Sequence, residues 1–224
     1  MNIIDSHTHT SRPDSVINID PSELGVRNPE MLDDRWYSVG IHPWNAGLYT
    51  PRDVSRLRRL AAHPRVVAIG ECGLDSVHES YERVERDGHV DIVQAHPDLK
   101  RQLELLELHI ALSEELRKPL LLHVVKRFPE VMRLRLKRRP LPQMPWVIHG
   151  FRGRPGLAKD LLRHGFYLSY GALFNEASVR ATPPERMLVE SDESPAEIAE
   201  IIAALPVKPE MTLPLLNQCI ILNA

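Results

Sequence analysis

The chain has 224 residues, with 28 Lys plus Arg against 30 Asp plus Glu and a net charge of −2. That balance excludes the overall basic field of a whole-protein nucleic-acid binder, so an anionic substrate has to be met by local charge. Two distant cysteines, Cys72 and Cys219, exclude a disulfide framework, and with no signal-like start or 18-residue apolar run the expectation is a soluble, cytoplasmic protein with no membrane partner.

In chain order, apolar runs at residues 2–6, 15–19, 36–40, 66–70, 120–124, 146–150, 166–170 and 187–191 read as eight strands. Helical spacing appears in Val54, Leu57 and Leu60, in Leu99, Leu103, Leu106 and Ile110, and in Leu157, Leu161 and Leu162. Pro64, Pro97, Pro119 and Pro145 stand just before such runs and mark element starts. Strands alternating with helices predict a parallel sheet, and eight of them predict a TIM-type β/α barrel forming a single domain over residues 1–224. Too few residues separate the first two strands for a normal crossover, so the barrel should be distorted there and lack a helix. Residues 76–98 are polar and long for a connection; they read either as a solvated loop or as a cover over the site.

His7 and His9, two apart at the end of the first strand, share one face, as paired metal ligands would. Glu71 follows the fourth strand, His123 and His149 end the fifth and sixth, and Asp192 ends the eighth. A β/α barrel carries its active site at the carboxyl ends of its strands, so this topology gathers all six residues. Four imidazoles and two carboxylates can hold two divalent ions with one carboxylate bridging. His-rich ligation suits Zn or Mn, and phosphodiester chemistry often runs with Mg.

The segments DSHTHT (5–10), GIHPW (40–44), GECGLD (70–75), the RQLEL to KPLLLH run (101–123), IHGF (148–151) and VESD (189–192) resemble, in order and spacing, the TatD-like metal-dependent hydrolases of the amidohydrolase superfamily. The resemblance spans nearly the whole chain. It implies a TIM-type barrel, a site for one or two ions, and deoxyribonuclease or phosphodiesterase activity, with aminoacyl-tRNA deacylation known among relatives. It also implies that His7, His9, Glu71 and Asp192 hold one ion, that Glu71, His123 and His149 hold the other, and that Glu71 bridges. Departures are visible. Val-Val-Lys126-Arg127-Phe replaces a Ser-Arg-Asp-Ala-like run, Gly150 stands where Cys is common, and Glu193 shifts the usual Ser-Pro. The C-terminal stretch is abbreviated, with Asn217 as a remnant of a late asparagine, so the chain looks like a shortened member with a diverged substrate surface.

Chemistry on these residues is consistent with that implication. Bound ions lower the pKa of water toward neutrality and polarise a phosphoryl oxygen. Asp192 is the expected general base, and Glu71 the bridging catalytic carboxylate. His42 is a candidate donor to substrate phosphate, and Trp44 a stacking platform for a base or sugar. Arg152 and Arg154, just past His149, are candidates for phosphate contact through bidentate guanidinium bonds. The basic runs at Arg56, Arg58 and Arg59 and at Arg133, Arg135, Lys137, Arg138 and Arg139 fall on expected outer helices, away from the site. The leading expectation is therefore a hydrolase of phosphodiester bonds in DNA or a related nucleotide. The alternatives are an amide or ester hydrolase, such as an aminoacyl-tRNA deacylase, and a divergent metal-binding protein with weak or no catalysis.

Overall fold

The computed structural model describes residues 5–21, 32–86, 88–96, 98–138 and 144–208; Pro97, Arg139, Asn217 and Cys219 lie outside them. The elements run β1 (Asp5–Thr8), β2 (Ser15–Ile19), β3 (Trp36–Val39), α1 (Pro51–Ala61), β4 (Val66–Asp75), β5 (Ser80–Arg86), β6 (His89–Ala95) and α2 (Leu99–Leu116). They continue with β7 (Leu120–Val125), α3 (Phe128–Leu136), β8 (Trp146–Ile148), α4 (Pro155–Arg163), β9 (Phe166–Tyr170), α5 (Glu176–Ala181), β10 (Met187–Val189) and α6 (Ile198–Ala204). No helix among the described residues is long and apolar enough to cross a membrane.

Eight strands form one parallel sheet in the order β1-β2-β3-β4-β7-β8-β9-β10. Among the described residues the ring closes through a parallel bridge between Thr8 and Asp192. Strands stand at all eight expected places, the first beginning at Asp5 with residues 2–4 of its expected run outside the described residues, and the expected α/β barrel is the fold. Residues 9–14 join β1 to its parallel neighbour β2 with no helix, as the short spacing predicts.

Period-two alternation, interrupted in β4 where the register with β3 shifts and Val67 is the extra residue, sorts the strand side chains into two layers. Val16, Val67, Ala68, Leu121, Val147 and Leu188 form a small cluster of their own inside the ring. Their neighbours Ile17, Ile69, Leu120, Leu122, Trp146, Ile148, Met187 and Val189 belong to the larger core under the helices. Helix starts follow from sequence. Thr50 and Asp53 make a reciprocal capping box ahead of α1 with Pro51 in its first turn, and Asp98 caps α2 by accepting from Lys100 and Arg101 N–H. Pro119 and Pro145 immediately precede β7 and β8, and their carbonyls accept from Ile69 and Leu120.

Residues 76–98 depart from a plain loop. β5 and β6 pair as an antiparallel two-stranded sheet from Ser80 with Ala95 to Arg86 with His89. The polar alternation in YERVER and HVDIVQA is a strand pattern with one weak apolar face, which reads as a solvated connection when judged by polarity alone. The hairpin leaves from the end of β4, at the carboxyl-end face of the barrel, and is tied back by a Gly47 to Glu82 bridge. The outer basic runs are largely occupied by structure. Arg138 pairs with Glu107 and Glu114, Arg133 with Glu130, and Arg58 with Glu115. Arg135 is buried, with its guanidinium 5.2 Å from the Trp146 ring centroid.

Candidate metal centre

The inward register that places Leu121 and Val147 inside the barrel carries His123 and His149 to the same side two residues later, above an apolar floor. The same step from Leu188 leads to Glu190. Glu71 rises from β4, its backbone N–H held by Asn18 Oδ1 of β2 at 2.8 Å. His7 comes from β1, His9 follows it, and Asp192 follows β10 across the closing bridge.

The six expected residues meet, and Glu71 is their hub. Its Oε2 lies 3.4 Å from His7 Nε2 and 3.3 Å from His9 Nε2. Its Oε1 lies 2.7 Å from His149 Nε2, 2.9 Å from His123 Nδ1 and 3.2 Å from His42 Nε2. Asp192 Oδ1 stands 3.8 Å from His7 Nε2 and 3.6 Å from His9 Nε2, on the Oε2 side. The two carboxylate oxygens thus face two groups of imidazoles, and His149, on the Oε1 side, also lies within reach of His7 and Asp192. Three sets have donor atoms close enough to share an ion: His7, His9 and Glu71; His7, His149 and Asp192; and His42, Glu71 and His123.

The donor chemistry fits a divalent cation. His7 is fully buried, yet neither ring nitrogen has a hydrogen-bond partner. Orphaned buried nitrogens are costly unless something fills their lone pairs. The electrostatics agree. Burial pushes the Glu71 carboxyl up, but the facing His149, His123 and His42 outweigh it and hold it well below the ordinary range. Burial lowers His149, and Glu71 with Glu190 reverses this, leaving it well above its usual value. His9 is raised mainly by its bond to Glu71, whereas burial lowers His42.

A second layer orients these groups, and sequence reasoning did not single it out. Glu190, fully buried, accepts from Gly150 N–H and places Oε1 3.5 Å from His149 Nδ1. Asp75, fully buried, accepts from His123 Nε2 at 3.1 Å. Carboxylates behind ligand histidines fix ring orientation and basicity. Both lie within the motifs GECGLD and VESD, two to four residues from Glu71 and Asp192, which is the signal that was available.

The expected substrate contacts separate. His42 sits against the shared carboxylate rather than at a rim, and its ring also accepts from Trp44 N–H. Trp44 donates its indole N–H to Asp75 at 2.9 Å and packs edge-on against His42, so the ring is tied into the wall of the site. A cavity of about 350 Å³ opens beside Asp192, lined by Gly150, Arg152, Leu173, Glu190 and Ser194. Arg152 reaches this cavity; Arg154 is exposed at the start of α4 and does not line it.

The sequence matches the family model described as TatD related DNase over residues 27–206. It is 32% identical over 167 residues to the uncharacterized metal-dependent hydrolase YcfH of Escherichia coli K12, covering 71% of this chain and 56% of YcfH. It is 31% identical over 172 residues to the 3'-5' ssDNA/RNA exonuclease TatD of Enterobacter lignolyticus, covering 70% of this chain and 57% of that protein. The matched stretch thus spans little more than half the length of these curated relatives. The fold also superposes on the crystal structure of YJJV, a TatD homolog from Escherichia coli K12, with a TM-score of 0.66 at 18% identity, covering 99% of this chain and 95% of the other. Family match, barrel and clustered His and acid residues converge, and the chain belongs to the TatD-related DNase family.

Proposed function

We propose that the chain is a divalent-metal-dependent hydrolase that cleaves phosphodiester bonds in DNA or a related nucleotide, with water as nucleophile. The observation that carries this reading is Glu71, one buried carboxylate whose two oxygens face separate imidazole groups beside an arginine-lined cavity. The names of the relatives, metal-dependent hydrolase and ssDNA/RNA exonuclease, point the same way. His7, His9, Glu71 and Asp192 would hold one ion and Glu71, His123 and His149 the other, a division supported by the Glu71 distances, and His42 stands close enough to join the second group. A bound Zn, Mn or Mg ion supplies an acidified water and electrostatic pull on the phosphoryl oxygen.

The protein's own groups do the rest. Asp192, at the cavity wall, accepts the proton of the attacking water. Glu190 and Asp75 hold the His149 and His123 rings against rotation. Arg152 meets the phosphate in the cavity, and Arg154 supplies a more distant positive charge to an extended strand.

Turnover of a nucleotide phosphodiester and of a neutral ester, measured across a salt series, tests the reading. Arg152→Ala should weaken phosphodiester binding by about 1 to 3 kcal/mol and flatten its salt dependence. Arg154→Ala should have the smaller effect. Faster turnover of the neutral ester, indifferent to salt and to both arginines, overturns the phosphodiester assignment in favour of ester or amide hydrolysis.

A further inference from the structure

Asp75 has more donors than one orienting bond to His123 requires. Its Oδ1 accepts from the backbone N–H groups of Val77 at 2.8 Å and His78 at 3.1 Å. Its Oδ2 gathers Trp44 Nε1 at 2.9 Å, His123 Nε2 at 3.1 Å and His78 Nδ1 at 2.6 Å. Gln102 of α2 clamps the backbone of the same residue, accepting from Asp75 N–H and donating to its carbonyl, both at 2.9 Å. The carboxylate is therefore fixed in place.

His78 is unlike the other imidazoles of the site. It does not touch Glu71; its side chain is 54% exposed and lies 5.2 Å from the Trp44 ring, whose other ring neighbours are His42 and His123. It stands on the rim of the same wall. An ionised carboxylate can only accept, so the short bond fixes the hydrogen on His78 Nδ1. Nε2 is left without a partner among the described residues and with access to solvent. A buried carboxylate holding one ring nitrogen while the other faces outward is how an acid–base histidine is oriented.

The ring order says which of the two roles is open. Asp192 follows the eighth strand of the closed sheet and Asp75 ends the fourth, so the two groups stand on opposite sides of the barrel. In-line displacement at phosphorus needs its attacking and leaving oxygens on opposite sides. With the base on one side, the leaving group departs toward the other.

We propose that His78, oriented by Asp75, is the general acid that protonates the leaving-group oxygen; this rests on the phosphodiester reading above. As the water oxygen bonds to phosphorus, one water proton passes to Asp192. The bond from phosphorus to the leaving oxygen breaks, and that oxygen takes the Nε2 proton of the imidazolium form of His78, which is left as the neutral ring with its hydrogen on Nδ1 toward Asp75. Exchange with solvent resets both groups.

The test compares His78→Gln with wild type on two substrates, a dinucleotide whose leaving alcohol needs a proton and a nucleotide p-nitrophenyl phosphodiester whose phenolate leaves without one. The variant should lose roughly 100-fold or more in kcat on the dinucleotide, within the range for losing a general acid, and far less on the p-nitrophenyl ester. Equal losses on both substrates, or none, overturn the role of His78 and leave the phosphodiester reading standing. A wild-type protein that cleaves neither substrate overturns the reading and this role together. A readout on the metal-free protein stands beside these. Nitrogen NMR of the neutral His78 ring should show the proton on Nδ1, and Asp75→Asn should abolish that bias; a proton on Nε2 overturns the proposed orientation.

Discussion

His109 offers a perturbation whose size follows from the structure. It lies on α2, fully buried, with Nδ1 against the Leu105 carbonyl at 2.7 Å and Nε2 accepting from the Ile41 N–H at 3.0 Å. Both nitrogens of the neutral ring are satisfied. A proton on Nε2 would set two donors against each other and put a charge in the core. Burial lowers its pKa from 6.5 to about 4. The unfolded chain therefore takes up this proton first as pH falls, and because stability rises with pH wherever the unfolded state binds more protons, this residue favours folding at neutral pH and loses that contribution between about pH 6.5 and 4. A difference of about 2.5 in pKa at about 1.4 kcal/mol each amounts to about 3.5 kcal/mol in full, of which about 3 kcal/mol is lost by pH 4. His109→Gln removes the titration. The variant should be less stable than wild type at pH 7 by about 1 to 3 kcal/mol, the range for a lost buried hydrogen bond, and the gap should shrink by about 3 kcal/mol on going to pH 4. Urea unfolding followed by circular dichroism, with chelator present, measures both curves, and the ligand histidines titrate alike in the two proteins and cancel in the difference. A gap that stays constant with pH refutes the buried neutral ring. The residue matters to the site because Ile41 precedes His42.

His123→Ala and His149→Ala should each reduce occupancy of one ion and leave the other bound; two ions per chain by elemental analysis in either variant would break the assignment. Asp192→Asn keeps the side-chain size and removes the charge, and turnover should fall by roughly two or more orders of magnitude with the fold intact by circular dichroism. Gly73→Ala tests how closely β4 and β7 must approach. A Cβ there would come 1.9 Å from the His123 carbonyl oxygen at φ +149, so the melting temperature should fall by an amount equal to about 2 kcal/mol or more, with weaker metal binding, and an unchanged melt would contradict the register.

The barrel strands are legible because parallel strands buried on both faces are continuous apolar runs, and WVI and FYLSY could hardly be anything else. The ligands are legible because each stands at the carboxyl end of such a run. The hairpin of β5 and β6 carries no core-facing run, and the Asp87-Gly88 pair between its strands was its best sequence signal. Glu190, Asp75 and Asn18 were hidden for another reason. Their partners Gly150, His123 and Glu71 lie 40, 48 and 53 residues away in sequence, and strand register alone brings Asn18 to Glu71 or Asp75 to His123. His42 was placed on the correct face, but how far a turn leans inward depends on packing, and here Asp20 accepts from the His42 N–H and sets the turn against Glu71.

The segment DSHTHT holds two jobs that the fold makes inseparable. Among the described residues the ladder where β1 meets β10 is the Thr8 and Asp192 bridge, yet His7, His9 and Asp192 all come from this seam. Side chains replace the missing pairing. Buried Asp5 accepts from Ser191 N–H at 3.0 Å and from its hydroxyl at 2.6 Å, and Ser6 donates to the Val189 carbonyl at 2.9 Å. Arg12 then holds the carbonyls of Ser194 and Ala196, each at 2.8 Å, just past Asp192. Asp192 itself has φ of +54, a conformation that survives only where its surroundings enforce it. Closing the barrel and bringing His7 and His9 to Asp192 are thus one event, so an ion bound across this seam, as proposed, should stabilise the closed ring, and Asp5→Ala or Arg12→Ala should weaken metal binding in a titration without removing a proposed ligand.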